Sequence, residues 1–226
     1  MAEIVFTGVG HRFGERVVLD RIDLTLAERR IGIVGANGSG KSTLARMING
    51  LVSPTTGTVT LDGLDTTAKG RDVRRRVGFV FTDPDSQIVM PTVAEDVAFS
   101  LRRSGLGKPE IADRVGASLR RFGLAEHADH PTHLLSGGQK QLLALAAVLI
   151  TEPDVVVADE PTTLLDLRNA RMVNNLLAGL PQQVVLVTHH FDLLAGFDRV
   201  VVLNGGRVAA DGPPAAAVDA YTGLLT

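Results

Sequence analysis

Ile31-Gly32-Ile33-Val34-Gly35-Ala36-Asn37-Gly38-Ser39-Gly40-Lys41-Ser42-Thr43 runs from a short apolar segment, through a glycine-rich turn, into the start of a stretch with helical periodicity at 41–50. Residues 35–43 fit G-x-x-x-x-G-K-[ST], the pattern of a phosphate-binding loop between a strand and a helix. Glycine lets such a backbone curl so that its N–H groups turn inward on phosphate oxygens. The helix that follows presents the positive end of its dipole to the same anion. Lys41 reaches the β- and γ-phosphates as a point charge, and the Ser42 hydroxyl is placed to bind Mg²⁺. The competing reading is an ordinary glycine-rich turn. It explains neither the apolar run before the loop nor the helix after it.

Further short, branched runs lie on either side. Residues 58–61 and 77–81 read as strands, as do the valine-rich runs 155–158, 184–187 and 200–203. Continuous apolar strands of this kind belong in a parallel sheet covered on both faces. Their alternation with helical stretches predicts an α/β fold. Residues 91–150 differ, because their pattern is helical throughout. Thr92 with Glu95 predicts a capping box before Val97 and Leu101, and 110–122 is amphipathic and stopped by Gly123. Ser136 is placed to cap a helix running to Ile150. The expected organisation is a nucleotide-binding core, 1–85 and 151–226, interrupted by an all-helical subdomain at 86–150. At the end of the chain, 209–220 reads as a turn and a short helix.

Composition narrows the function. Of 226 residues, 45% are hydrophobic and 21% charged, as in a folded globular chain, and the formal net charge of −2 lacks the basic excess of a nucleic-acid binder. Eight Phe, one Tyr and no Trp give no stacking platform for single strands. Absence of Cys removes thiol catalysis and disulfides. No run approaches the roughly 18 apolar residues of a membrane span, and no basic-then-apolar leader opens the sequence. A cytoplasmic location is expected, with any membrane contact made through a partner.

Three further motifs carry chemistry. Val155-Val156-Val157-Ala158-Asp159-Glu160-Pro161 delivers two carboxylates at the carboxyl end of a buried strand, where open α/β sheets bind ligands. Asp159 is expected to hold Mg²⁺. Glu160, facing the other way in an extended segment, is expected to polarise an attacking water. Leu135-Ser136-Gly137-Gly138-Gln139 opens the helix of 136–150. Taken alone it is a helix N-cap, yet its glycines allow close approach and its dipole favours an anion. The chain thus has two phosphate-facing helix starts and only one lysine-bearing loop. The second helix start is therefore expected to serve the nucleotide held by another copy. His189 follows the strand 184–187 and can hydrogen-bond a γ-phosphate, although a single His at a strand end is often structural.

In this order and spacing, the four motifs resemble the ATPase subunit of ABC transporters over essentially the whole chain. The resemblance implies a P-loop NTPase core sheet of RecA-like type with the helical subdomain inserted. It identifies Gly35, Ala36, Asn37, Gly38, Ser39, Gly40, Lys41, Ser42 and Thr43 as the Walker A loop and Asp159 as the end of Walker B. Glu160 corresponds to the catalytic glutamate, Ser136, Gly137, Gly138 and Gln139 to the signature, and His189 to the switch histidine. Asp166 corresponds to the aspartate of the D-loop at the dimer interface. Phe13 takes the place of the aromatic that stacks on adenine; a core Phe in an early strand is the other reading. The implied cofactors are ATP and Mg²⁺. The implied partners are a second ATPase copy, expected to form a homodimer, a coupling transmembrane protein and a substrate-binding membrane protein, with no nucleic acid. The implied place is the cytoplasmic face of the membrane.

One position departs from the family. Its usual Gln after the strand 77–81 is Thr82 here, and Gln87 lies five residues on. Gln87 is the candidate for the metal contact, with Thr82 the alternative. Residues 81–89 resemble the corresponding loop of energy-coupling factor ATPases, which power uptake of vitamins and transition-metal ions. The biotin type is most similar and the cobalt type follows. The end at Thr226 fits the shorter members, without an appended domain. A P-loop kinase, or an ABC protein of DNA repair or translation, is the other class. The first has no use for the signature helix, and the second usually carries long insertions or two ATPase units. His127, His130 and His133 are spaced three apart, which suggests a metal site, but Pro131 breaks the helix and no carboxylates complete a shell. Arg74-Arg75-Arg76 and Arg102-Arg103 read as solvated faces, with docking of a partner helix as the second possibility.

Overall fold

Two long strands open the chain: β1 (Ile4–Phe13) and β2 (Arg16–Leu26) pair antiparallel, and β1 also pairs with β4 (Thr56–Leu61). They belong to a computed structural model that describes residues 1–225. With β5 (Leu64–Asp65) they form a four-stranded antiparallel sheet in the order β2-β1-β4-β5. Sequence periodicity does not reveal β1. Its pairing with β2 shifts register between Phe6 and Val9, between Val9 and His11 and again at Arg12. Each bulge displaces the two-residue alternation on which a strand reading depends.

The second sheet is the one the apolar runs predict. Its order is β10-β9-β3-β8-β7-β6. β3 (Arg30–Gly35) lies parallel to both β8 (Gln183–Val187) and β9 (Arg199–Asn204), and β7 (Val155–Asp159) lies parallel to β8. β6 (Val77–Val80) takes one edge, and β10 (Arg207–Gly212) pairs antiparallel with β9 at the other. Every residue of β3, β7 and β8 is buried. Such strands read as unbroken hydrophobic runs because both faces are covered. Helix α1 (Lys41–Ile48) supplies part of that cover through Leu44, Ala45, Met47 and Ile48. The chain end expected as a turn and short helix is instead the edge strand β10 followed by the twelve-residue helix α7 (Pro214–Leu225). The alternating, half-exposed pattern of β10 is that of an edge strand, weaker than the buried runs.

Arg30 shows how the first unit is tied together. Its guanidinium donates to the carbonyls of Arg29, Ala178, Leu180 and Gln182. The last three of these lie at and beyond the end of α6 (Leu167–Ala178), where helix acceptors lack intrahelical partners. Burial, and then the neighbouring Arg29 charge, hold the Arg30 pKa below its ordinary value.

The chain divides into two compact units. One comprises residues 1–79, 154–160 and those from Leu177 on, with both sheets, α1 and α2 (Gly70–Arg76). The other comprises 80–153 and 161–176. It contains α3 (Val93–Ser100), α4 (Lys108–Arg121) and α5 (Gly137–Leu149). Thr92 and Ser136 each cap their helix through a complete capping box, with Glu95 and Gln139 reaching back. Nine of the thirteen α5 residues are buried, as expected of a helix apolar on most of its circumference.

Candidate active site

Gly35, Gly38 and Gly40 have φ of 150°, 80° and 100°, so the loop between β3 and α1 turns through conformations that L side chains avoid. Space is as restrictive as φ at Gly35, where an added Cβ would lie 2.1 Å from the Leu203 carbonyl oxygen. Lys41 is buried, and its Nζ donates to the carbonyls of Gly35 at 2.9 Å and Ala36 at 3.1 Å. Burial lowers the Lys41 pKa, opposed by the charges of Glu160 and Asp159. Ser39 is buried and its hydroxyl has no hydrogen-bond partner among the described residues. An orphaned hydroxyl inside a loop of inward-turning backbone suits an anion's oxygens.

Asp159 ends β7, and its Oδ1 accepts from Ser42 Oγ at 2.8 Å. A hydroxyl and a carboxylate brought this close are the hard oxygen donors Mg²⁺ takes, alongside phosphate oxygens. The two residues expected to hold Mg²⁺ from the loop and the strand therefore fit it. Arg46 Nη2 lies 3.3 Å from Asp159 Oδ2. Arg46 was not legible as a site residue, although it stands four positions after Ser42 and so on the same face of α1. Burial raises the Asp159 pKa, and the Ser42 hydrogen bond and the Arg46 charge oppose it.

Glu160 corrects one expectation. It is not extended: its φ is 52°, and its N–H donates to the Val187 carbonyl at 2.9 Å. The chain must leave the sheet directly after Asp159, and a left-handed residue makes that turn at a steric cost typical of functional positions. This turn brings Glu160 Oε2 to 2.6 Å from His189 Nδ1. An ionised carboxylate can only accept, so Nδ1 carries the hydrogen. Lys41, Ser42, Asp159, Glu160 and His189 thus meet within one unit. Phe13 is not a core residue. It is 57% exposed, with its ring edge-on to His11.

The second unit holds the other predicted residues. The Ser136 hydroxyl accepts from Gln139 N–H, and Gln139 Oε1 accepts from Ser136 N–H at 2.9 Å. Gly138 is buried, and a Cβ there would fall 2.7 Å from the Asn169 side-chain amide. Asp166 holds that amide: its Oδ2 accepts from Asn169 Nδ2 at 2.8 Å and its Oδ1 from Asn169 N–H at 2.9 Å. Asn169 was missed, and its only signal is the Asp-x-x-Asn spacing of a helix start. Gln87 Oε1 accepts from the Phe81 N–H at 3.3 Å. The 82–91 segment is further tied by buried Asp96, whose Oδ1 accepts from Val89 and Met90 N–H, and by the Lys140–Asp85 ion pair at 2.7 Å. Among the described residues no helix is long and apolar enough to cross a membrane.

A protein-family model described as ABC transporter matches residues 19–163. The biotin transport ATP-binding protein BioM of Rhizobium etli is 48% identical over 218 residues, covering 96% of this chain and 97% of that one. The energy-coupling factor transporter ATP-binding protein EcfA1 of Bacillus subtilis is 40% identical over 206 residues, covering 88% and 73%. Among solved structures, cbiO1 from Clostridium perfringens, described as part of the ABC transporter complex cbiONQ, superposes with a TM-score of 0.84. It is 32% identical and the match covers 98% of this chain and 92% of that one.

Proposed function

The chain belongs to the ABC transporter family, as an ATP-hydrolysing, transport-coupled ATP-binding subunit resembling energy-coupling factor ATPases, and from that premise we propose a mechanism, a dimer and a cargo. The observation that carries the mechanism is the 2.6 Å contact between Glu160 and His189 in the unit that also joins Ser42 to Asp159. Glu160 is the base that takes a proton from the attacking water. His189 holds that carboxylate in place through Nδ1 and, two residues past the end of β8, is the residue we assign to the γ-phosphate. Lys41 and the N–H groups of 35–43 bind the phosphates, and Phe13, exposed on β1, stacks on the adenine. Mg²⁺, bound by Ser42 and Asp159 when present, neutralises charge on the phosphate oxygens. Electrostatic stabilisation of this kind is most of what phosphoryl transfer to water requires.

Ser136, Gly138 and Asp166 complete the site of a second copy in a homodimer. The chain has two phosphate-facing helix starts but one lysine-bearing loop, and that asymmetry supports the pairing. ATP closes the dimer because its γ-phosphate is solvated from both sides, and hydrolysis removes the bridge. The helical subdomain 86–150 and the loop at Thr82–Val89 serve a coupling transmembrane protein on the cytoplasmic face, and the 62% exposure of Val89 supports contact there. The cargo is a vitamin, biotin first, imported through a substrate-binding membrane protein; the BioM likeness supports it.

Glu160→Gln is expected to bind ATP, to accumulate as a dimer on sedimentation, and to lose about 10²–10⁴-fold in turnover. Lys41→Ala is expected to lose turnover with no such dimer. Parental turnover in Glu160→Gln would remove Glu160 as the base. The cargo is tested by purifying the tagged chain from membranes with its integral partners and measuring uptake of labelled biotin against cobalt and nickel ions.

A further inference from the structure

His127 reaches the signature helix. It ends the 3-10 turn Ala125–His127 after α4, and its imidazole lies half-buried against the start of α5. Gln139 Nε2 stands 2.9 Å from His127 Nε2, and His127 Nδ1 stands 2.9 Å from His130 Nδ1. The direction of these bonds follows from the capping box. Gln139 Oε1 is occupied by the Ser136 N–H at 2.9 Å, so the amide turns its NH₂ toward the ring. His127 Nε2 must then accept, which puts the ring hydrogen on Nδ1, where it donates to His130. The turn that carries the ring is itself fixed. His130 N–H donates to the His127 carbonyl at 2.9 Å, Ala94 N–H donates to Ala128 at 2.9 Å, and Leu124 is fully buried.

We propose that His127 is a positioning residue for ATP hydrolysis: as a neutral, Nδ1–H imidazole it accepts from the Gln139 amide and so holds the Ser136–Gln139 capping box in the geometry that faces the partner copy's nucleotide. A capping box closed only by its own two residues holds the Gln139 amide at Oε1 alone. A third, externally anchored contact on the same amide fixes it, and with it the orientation of the Ser136 hydroxyl and N–H. His130 receives the Nδ1 hydrogen on the far side of the ring, as outer partners do for functional histidines. This accounts for two members of the 127/130/133 spacing without a metal. The inference rests on the reading of Ser136 as a residue that completes the site of a second copy.

The test uses the full chain and three variants: His127→Leu, which cannot accept; His127→Gln, whose Oε1 can accept from Gln139; and Ser136→Ala. Turnover is measured against protein concentration, and binding of a fluorescent ADP analogue is measured under dilute conditions. His127→Leu is expected to lose about ten- to a hundredfold in kcat, with ADP affinity and melting temperature close to the parent. His127→Gln is expected to recover most of that loss. Long-range ¹H–¹⁵N correlation of the parent protein is expected to show His127 protonated on Nδ1 and bare on Nε2. Parental kcat in His127→Leu, an equal loss in the Leu and Gln variants, or the opposite tautomer overturns the proposal. Loss in Ser136→Ala beside parental His127→Leu overturns this inference alone. Full activity in Ser136→Ala overturns the dimer reading and the inference with it.

Discussion

Gly138 sits where a single methyl group would meet an amide that is already spoken for. The built Cβ falls 2.7 Å from Asn169, and Asn169 can retreat only by giving up its hydrogen bond to Asp166. Gly138→Ala is therefore expected to fold, to cost about 1 kcal/mol in stability for that bond, and to lower turnover while ADP binding stays at the parental value. Combining it with Asn169→Ala removes the obstruction and is expected to restore part of the rate, which steady-state kinetics on the pair of variants will read. Gly35 is a harder case, because the obstructing atom is backbone and φ is 150°. Gly35→Ala is expected to destabilise by more than about 2 kcal/mol in chemical denaturation and to lose nucleotide binding.

The helices of the second unit show one device used for two ends. Thr92 and Ser136 both close complete capping boxes. Replacing either by Ala removes a cap worth about 1 kcal/mol, a fall of about 2–4 °C in melting temperature for a chain of this size. Thr92→Ala is expected to stop there, with turnover at 25 °C unchanged. Ser136→Ala is expected to show the same thermal shift and also to abolish hydrolysis, since its hydroxyl faces nucleotide in the proposed dimer. Calorimetry and turnover measured side by side separate the structural cap from the functional one. The segment 82–91 makes a related point: Asp96 anchors it from inside α3, so a loop read for its ligand chemistry is positioned by a buried carboxylate in the next helix.

Across the molecule, long-range ion pairs tie distant parts of the first unit. Arg76 at the end of α2 donates to Asp154 at 2.6 Å and to Asp62 between β4 and β5, and Asp62 Oδ1 accepts from Glu3 N–H at 2.7 Å. So the charge run at 74–76 is not simply a solvated face. The Glu3 amide, and then Arg76, hold the Asp62 pKa below its ordinary 3.8. A carboxylate with a depressed folded pKa contributes stability above its unfolded value and loses it as pH falls through the folded one. Asp62→Asn is expected to flatten the acid limb of the stability profile below about pH 4 and to leave its neutral shape intact, as urea midpoints across pH will show. The effect is modest because the Asp62 side chain remains about one-third exposed to solvent.

The sequence by itself determined the phosphate loop, the buried parallel strands and both capped helices. Each is specified locally: by glycines where φ is positive, by unbroken apolar runs, and by a Ser or Thr three residues before its partner. It also placed two carboxylates at the end of β7. The tertiary structure alone decided the rest. Bulges hid β1, and edge exposure hid β10. Whether Glu160 lies extended depended on where the chain had to leave the sheet, and its contact with His189 joins positions 29 residues apart. Arg46 on Asp159, Asn169 beneath Gly138 and His127 on Gln139 are likewise meetings between elements. No local pattern encodes such contacts, because a side chain's partner across space is fixed by packing and not by its neighbours in the chain.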